Sequence, residues 1–376
     1  MKKLCLILLL LICFIPTVVR ADDSQLPADE PLPTEYAKGE VIEILEQEFD
    51  KEYGAGMTVD YQKLQVKILN GQFKNEIVTI ENSTTGNPAY DIWFQKGDKV
   101  LLMVEILAGD LFNSYIVDFQ RDTYLFVLAA IFIILLIIIG RKQGLKAVIT
   151  LGLTMLIIGK IMLPLLFKGY SPVWLALLTG IFVNALTFLI ISGFSKKTLS
   201  AILGTTGGLL AAALIAMLIG YLTNLKGLSG EEAQMLLYIP QEINFDYRGL
   251  LFAGIIIGSL GAVMDVSMSI ASAMEEINKI GTDLSFKELF GSGMNVGKDI
   301  MGTMSNTLIL AYTGTSLPLL LLFMAYEQPF VKLINMDFLA TEFIRALSGS
   351  FGLVLAIPLT ALASGFLFKK HTSFRK

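Results

Sequence analysis

Residues 258–277 read GSLGAVMDVSMSIASAMEEI, and this apolar stretch decides the class of protein to which the chain belongs. With its neighbours it is long enough to cross a bilayer, which takes about 20 mostly apolar residues. Asp265 lies inside it. A carboxylate at bilayer depth costs roughly several kcal/mol, so it normally faces protein or water and marks a functional site.

The composition is that of a membrane protein without redox or metal chemistry. Of 376 residues, 54% are hydrophobic and 16% charged, and the mean hydropathy is +0.65. Soluble domains average about 25% charged residues. The cysteines, Cys5 and Cys13, lie in a predicted signal peptide, and His371 is in the tail. We therefore expect no disulfide, metal site, cofactor or enzymatic activity.

The first 36 residues are predicted to be a signal peptide and a linker. A basic start, an apolar core over residues 4–19 and a small-residue cleavage site ending at Ala21 indicate a signal peptide over residues 1–21. An uncleaved first helix is the alternative. Residues 22–36 are acidic and contain prolines, which is typical of a flexible linker.

Residues 37–120 show the alternation of β-strands. The runs are broken by Asn70-Gly71, Gly97-Asp98 and a Gly-Asn-Pro turn, which predicts a small extracytoplasmic β-barrel or sandwich, OB-like or SH3-like. Acidic residues outnumber basic ones, so we expect no nucleic-acid binding. The runs are KGEVIEIL, DYQKLQVKILNG, NEIVTIEN, IWFQKGD and KVLLMVEIL.

The remainder of the chain predicts an all-α polytopic membrane domain over residues 121–368 and a basic cytoplasmic tail over residues 369–376. The loops and tail predicted inside carry twelve lysines and arginines and the outer loops four, which places the β domain outside the cell membrane and the C-terminus in the cytoplasm. The seven predicted spans are 123–140, 146–166, 172–194, 199–223, 249–274, 300–326 and 341–367.

Asp265 is predicted to share one helix face with small and polar residues. On an ideal helix, these neighbours lie within roughly 40° of it. The opposite face, with Leu260, Val263 and Ile270, is expected to meet lipid. The neighbours are Gly254, Gly258, Gly261, Ser269, Ser272 and Glu276.

The last two spans supply further polar side chains. The sixth span carries Asn306 and Thr313, and the seventh carries Glu342 and Arg345 one turn apart. Two interpretations of Asp265 follow. It binds and releases a proton or sodium ion, or it is a buried acceptor held by serine hydroxyls or by Arg345.

The motifs resemble the YibE/F family of bacterial membrane proteins. The resemblance implies a polytopic membrane protein with an extracytoplasmic N-terminal domain, and it implies no activity. The stretches that carry it are LNGQFKNEIVTIEN, KGDKVLL, LIIIGRKQGLKAVITL, GAVMDVSMSIASAMEEI, NTLILAYTGTSLPLLLL and FIRALSGSFGLVLAIPLTALASG.

A second resemblance concerns the segment from Lys196 to Ala363. It looks like the membrane half of the protein-export subunits SecD and SecF, of the resistance-nodulation-division class, in which an intramembrane carboxylate is followed about ten positions later by a glutamate. Here Asp265 is followed by Glu275, although the flanking Asn and Thr of that motif are absent. The likeness implies that two copies pair.

Two functions are compatible with the sequence. The first is an ion-coupled secondary transporter or permease of unknown substrate that uses Asp265, Ser269, Ser272, Asn306, Thr313, Glu342 and Arg345. The second is a non-transporting membrane anchor that presents the β domain to an extracytoplasmic ligand or protein. In both, we expect lipid contact and a homodimer.

Overall fold

A computed structural model describes residues 32–52, 58–240, 243–281, 284–327 and 329–369. The predicted signal peptide, most of the linker and the end of the tail, with Cys5, Cys13 and His371, lie outside these residues. The chain divides into two compact units, Met1–Leu135 and Leu136–Lys376, which are described separately.

The first unit contains a curled antiparallel sheet. Its five strands follow the order β3-β2-β1-β4-β5, and β3 approaches β5, which gives a half-barrel rather than the closed barrel expected. Alternate side chains such as Val41, Leu64, Val66 and Leu102 fill its core. The strands are β1 (Thr34–Glu52), β2 (Thr58–Ile68), β3 (Ile77–Ser83), β4 (Lys99–Leu107) and β5 (Asp110–Phe119).

One predicted strand is wrong, and one strand was not predicted. The run IWFQKGD has no strand geometry, yet its Phe94 is buried in the core. The buried Gln62 side chain binds both backbone polar groups of Phe94, donating to its carbonyl at 2.9 Å and accepting from its amide at 3.0 Å. The Gln62 amide therefore makes the hydrogen bonds to Phe94 that a neighbouring strand would otherwise make. The fifth strand of the sheet is β5, which was not predicted.

The rest of the described chain is mostly helical. A π-helical turn, Ile158–Met162, lies between the first two helices, and a 3₁₀ turn, Leu236–Tyr238, follows the fifth. The helices are α1 (Asp122–Ile157), α2 (Leu163–Phe167), α3 (Pro172–Ser192), α4 (Lys196–Leu222), α5 (Glu231–Met235), α6 (Tyr247–Ile280), α7 (Phe286–Thr315), α8 (Leu317–Ala325), α9 (Phe330–Ile334) and α10 (Asp337–Lys369).

Within the described ranges, five helical runs are long and apolar enough to cross a membrane, and a sixth is added if the pair α7 and α8 counts as one span. The seven predicted spans are therefore not confirmed. Two runs are broken. Asp122–Phe167, 46 residues long, is interrupted at Arg141 by non-helical backbone (φ 48°, ψ −122°), and α8 is bent by 60° from α7.

The core of the second unit lies between α3, α4, α6, α7 and α10. The prediction that Leu260, Val263 and Ile270 meet lipid is wrong, because all three are buried against neighbouring helices. The face with Gly254 and Asp265 is the open one. Ser259, Ser267 and Ala271 are buried together with the bulky side chains of α6, whereas Asp265 and the glycines beside it are left outside the interior.

Candidate functional site

Asp265 lies near the middle of α6, on the side of that helix that its neighbours leave open. Gly254, Gly258, Gly261 and Ser269 are exposed on the same side, and Ser272 is half-buried. The predicted grouping of these residues on one face agrees with the helix geometry. Among the described residues, no hydrogen bond or ion pair reaches the Asp265 carboxylate, which is the unusual feature of this face.

Contacts with α7 show which residues lie at the depth of Asp265. A Cβ added to Gly258 of α6 would lie 2.6 Å from the hydroxyl oxygen of Tyr312 on α7. Further along the two helices, Gly297 of α7 faces Ile270 of α6. The helices therefore run antiparallel. Asp265 is two turns beyond Gly258 on α6, and Ser305 is two turns before Tyr312 on α7. Asp265 and Ser305 therefore lie at the same depth along the two helices.

Ser305 and Asn306 differ in their surroundings at this depth. The Ser305 hydroxyl is buried and has no hydrogen-bond partner in the part of the chain that the structure describes. Asn306 is exposed, as is the neighbouring Gly302. The exposed sides of α6 and α7 that carry Asp265, Gly254, Gly261, Gly302 and Asn306 are together called the open face below.

Glu342 and Arg345 form an ion pair with each other. The Arg345 Nη1 atom donates to Glu342 Oε1 at 2.9 Å, one turn apart on α10. Glu342 Oε2 is buried, and no partner for it is found among the described residues. An Asp265–Arg345 bridge, one of the two forms of the structural interpretation of Asp265, is therefore not formed in this structure.

Thr313 belongs with Glu342 rather than with Asp265. Both line a crevice of about 400 Å³ where α8 bends away from α7 beside α10. Tyr312 and Ser316 line the same crevice. Sequence reasoning missed Tyr312, which contacts both Gly258 and this crevice, and it missed the bend. The dipeptide Leu317-Pro318, with proline in the first turn of α8, is the signal that could have located the bend.

The candidate residues thus form two groups on neighbouring helices. Asp265 and Ser269 are exposed and Ser272 is half-buried on one side of α6, and Asn306 is exposed on α7. Thr313, Glu342 and Arg345 lie at the bend crevice or next to it. No cluster of side chains suited to a metal ion is found within the described ranges.

Several apolar helices of membrane-spanning length and an N-terminal β unit fit the class of α-helical membrane proteins with an added β-sheet domain. The chain belongs to the YibE/F family. The model of the YibE/F-like protein matches residues 128–370, and that of the YibE/F family N-terminal domain matches residues 34–119. No curated protein and no solved structure matches, so the similarity to SecD and SecF is not shown.

Proposed function

We propose that the protein is an ion-coupled secondary transporter in which Asp265 binds the coupling ion. The observation that carries this proposal is a carboxylate in the middle of a membrane-length helix for which the described residues supply no counter-charge. Placing it there is costly, and a purely structural acceptor would have its partner. Arg345, the alternative partner, is paired with Glu342.

The surroundings of Asp265 support reversible ion binding. Ser305 offers a buried hydroxyl without a hydrogen-bond partner among the described residues, at the same depth on α7. Carboxylate and hydroxyl oxygens are suitable ligands for a sodium ion and suitable partners for a proton. Ser269 follows Asp265 by one turn on the same exposed side and extends the polar path along α6.

The open face requires a cover at bilayer depth, and we propose a second copy of the chain. A charged side chain and an exposed asparagine amide are poorly accommodated by lipid tails. Gly254, Gly261 and Gly302 have no atom within 4 Å of an added Cβ, which leaves room for a helix backbone to approach. Pairing two open faces encloses Asp265 from both sides.

The proposed transporter has seven spans, with the β domain outside and the C-terminus in the cytoplasm. Support for seven comes from the two broken runs: the break at Arg141 divides Asp122–Phe167, and α7 with α8 forms a bent span. The distribution of lysine and arginine supports the orientation.

The test of this orientation uses single cysteines at Lys226 and at Lys142, with Cys5 and Cys13 replaced by serine. An impermeant thiol reagent applied to cells labels position 226 and leaves position 142 unlabelled; the reverse pattern contradicts the orientation.

The coupling role of Asp265 is tested without knowledge of the substrate. Full-length protein in proteoliposomes on a solid-supported membrane is exposed to a step in proton or Na⁺ concentration, and the transient charge displacement is recorded. We expect Asp265→Asn to reduce this charge at least about tenfold, because the amide cannot bind a cation electrostatically. A variant that displaces as much charge as the wild type contradicts the proposal.

The matched control is Glu275→Gln on the same helix. Glu275 is paired with Lys197 at 3.4 Å, so its replacement changes a similar charge without touching the proposed ion site. We expect its charge displacement to remain at the wild-type level. Size-exclusion profiles of both variants verify that the protein is folded.

One observation favours the second candidate function, a membrane-anchored binding protein. Tyr36, Met103 and Tyr115 are directly opposite one another on β1, β4 and β5, so their side chains form a row on one face. Tyr36 and Tyr115 are exposed. For this candidate, deletion of residues 37–120 abolishes partner capture, and no variant alters ion or solute flux.

A further inference from the structure

A groove between α3, α4 and α6 has a charged end and an apolar length. It measures about 780 Å³ and is called the leaflet groove below. Its charged end carries Ser171, Asp246 and Arg248, at the place where α3 and α6 begin and α4 ends. This division into a polar end and an apolar length is the shape of a site for an amphiphile. The apolar walls include Trp174, Leu177, Leu214, Met217 and Leu218.

The length of the leaflet groove matches one leaflet of a bilayer. Its α4 wall extends from Leu210 to Tyr221, which is about 16 Å at the rise of an α-helix. Half of a hydrocarbon core about 30 Å thick is about 15 Å. Trp174 and Tyr221 are exposed near the charged end, as aromatic side chains are at a membrane interface. The groove can therefore hold acyl chains of one leaflet, with the lipid head at the charged end.

The two charged side chains at this end do not neutralise each other. Arg248 donates through Nε to the Leu225 carbonyl at 2.7 Å, and its Nη groups have no partner among the described residues. Asp246 is exposed, and its Oδ1 accepts from the Gly249 amide at 2.8 Å as the N-cap of α6. Within the described ranges, no ion pair includes either side chain. A head group that carries both an anion and a cation can pair with both.

The surroundings of Arg248 favour a phosphate as the anion. A guanidinium group binds phosphate through parallel hydrogen bonds. The first turns of α3 and α6 are adjacent here, since a Cβ added to Gly249 would lie 3.2 Å from Pro172 Cδ. The positive ends of both helix dipoles add to the charge of Arg248. Ser171 is exposed and its side chain makes no capping hydrogen bond, so its hydroxyl is available as a further donor.

We propose that the leaflet groove binds a zwitterionic phospholipid whose head ends in a primary ammonium group. The phosphate accepts hydrogen bonds from Arg248 and Ser171, the ammonium donates to the Asp246 carboxylate, and the acyl chains lie against α3 and α4. Leu214 and Leu218 are more than half exposed, so the lipid enters sideways from the membrane. The proposal does not rest on the transport function, because Asp265 and the other proposed coupling residues are outside this groove.

Native mass spectrometry tests the head-group preference. The full-length protein, delipidated in detergent, is titrated with three phospholipids that have identical acyl chains and ethanolamine, choline or glycerol heads. We expect the first ethanolamine lipid to bind about tenfold more tightly than the other two, the effect of one hydrogen bond to a charged group. The trimethylammonium of choline cannot donate a hydrogen bond to Asp246, and the glycerol head has no cation. Equal affinities for the three lipids overturn the proposal.

Asp246→Asn tests the ammonium contact. Asparagine caps a helix as well as aspartate does, so the variant loses the charge and retains the start of α6. We expect the preference for the ethanolamine head to disappear while the glycerol lipid still binds. Asp337→Asn, at the first residue of α10 and outside the groove, is the matched control and retains the preference. An undiminished preference in Asp246→Asn contradicts the proposed contact.

Two substitutions of Arg248 test the phosphate contact. Arg248→Gln and Arg248→Lys both lose the Nε bond to the Leu225 carbonyl, and only the lysine retains the positive charge. We expect Arg248→Gln to weaken the binding of all three lipids about tenfold, and Arg248→Lys to bind them at least about threefold more tightly than Arg248→Gln. Wild-type affinities in Arg248→Gln identify lipid held by the apolar walls alone and overturn the site.

Discussion

Glycine has opposite roles in two regions of the molecule. One region is the packed contact between α4 and α10, called the seam below, and the other is the open face of α6 and α7. In the seam, a Cβ added to Gly208 would lie 2.7 Å from the Gly352 carbonyl oxygen, and one added to Gly204 would lie 1.8 Å from Thr360 Oγ1. On the open face, a Cβ on Gly254 or Gly261 would meet nothing within 4 Å. Close contact within the chain explains the first pair of glycines and does not explain the second.

The difference separates residues that fold one chain from residues that serve something outside it. Glycine in a helix weakens it by roughly 0.5–1 kcal/mol relative to alanine, and in the seam close packing offsets this loss. On the open face no contact within the described chain does so. The same face carries Asp265. The cost of the exposed helix glycines and the cost of a carboxylate at bilayer depth therefore fall on one surface.

The largest expected effect is in the seam. Gly208→Leu places a bulky side chain against Gly352, Val263 and Ala356, where backbone and buried side chains leave no space. We expect destabilisation of more than about 3 kcal/mol and loss of the folded monodisperse peak in size-exclusion chromatography. A Gly208→Leu variant that folds normally removes the basis of the comparison.

An intermediate effect is expected on the open face. Gly261→Leu has space within one chain, so we expect the higher helix propensity of leucine to raise the unfolding free energy of the monomer by about 0.5 kcal/mol. The second copy can no longer approach, and dimerisation measured by single-molecule photobleaching in liposomes weakens at least about tenfold. Gly159→Leu, an open position elsewhere in the chain, is the control and leaves dimerisation unchanged. Unaltered dimerisation of Gly261→Leu contradicts the proposed interface.

The smallest effect sharpens the comparison within a single helix. On α7, a Cβ at Gly297 would lie 2.1 Å from Ile357 Cγ2, whereas Gly302 has nothing nearby. Gly297→Ala is expected to destabilise the protein by about 1–3 kcal/mol, and Gly302→Ala to stabilise the monomer by about 0.5 kcal/mol. Thermal unfolding in detergent measures both. The same sign for both substitutions contradicts the distinction between packed and open glycines.

Helix periodicity predicted which residues share the Asp265 face and could not predict which face meets other helices. In water, the apolar side of a helix turns inward. Lipid accommodates an apolar side as well as the protein interior does, so Leu260, Val263 and Ile270 gave no direction. The pairing of Glu342 with Arg345 followed from their spacing of one turn. Tyr312 was missed because its proximity to Gly258 depends on the register between two helices.

The β unit also shows where local pattern fails. Alternation identified the runs that became β1 to β4, while IWFQKGD has the apolar content of a strand without its geometry. β5 includes Asn113 and Ser114, which interrupt the apolar pattern, and Ser114 is nevertheless buried by pairing with Val104 on β4. Contacts outside the local run determined the outcome in both segments, because the Gln62 side chain holds Phe94 and β5 pairs with β4.

The two hydrogen bonds between Gln62 and Phe94 have a practical consequence for engineering the β-sheet domain. Both bonds between this amide and Phe94 involve main-chain atoms of Phe94, and Asn82 likewise donates to the Ile92 carbonyl at 2.8 Å. Main-chain recognition is indifferent to side-chain identity. The exposed positions 95 and 96 are therefore a natural place for a randomised library, provided that Phe94 still fills the interior of the half-barrel and Gly97 keeps its left-handed backbone.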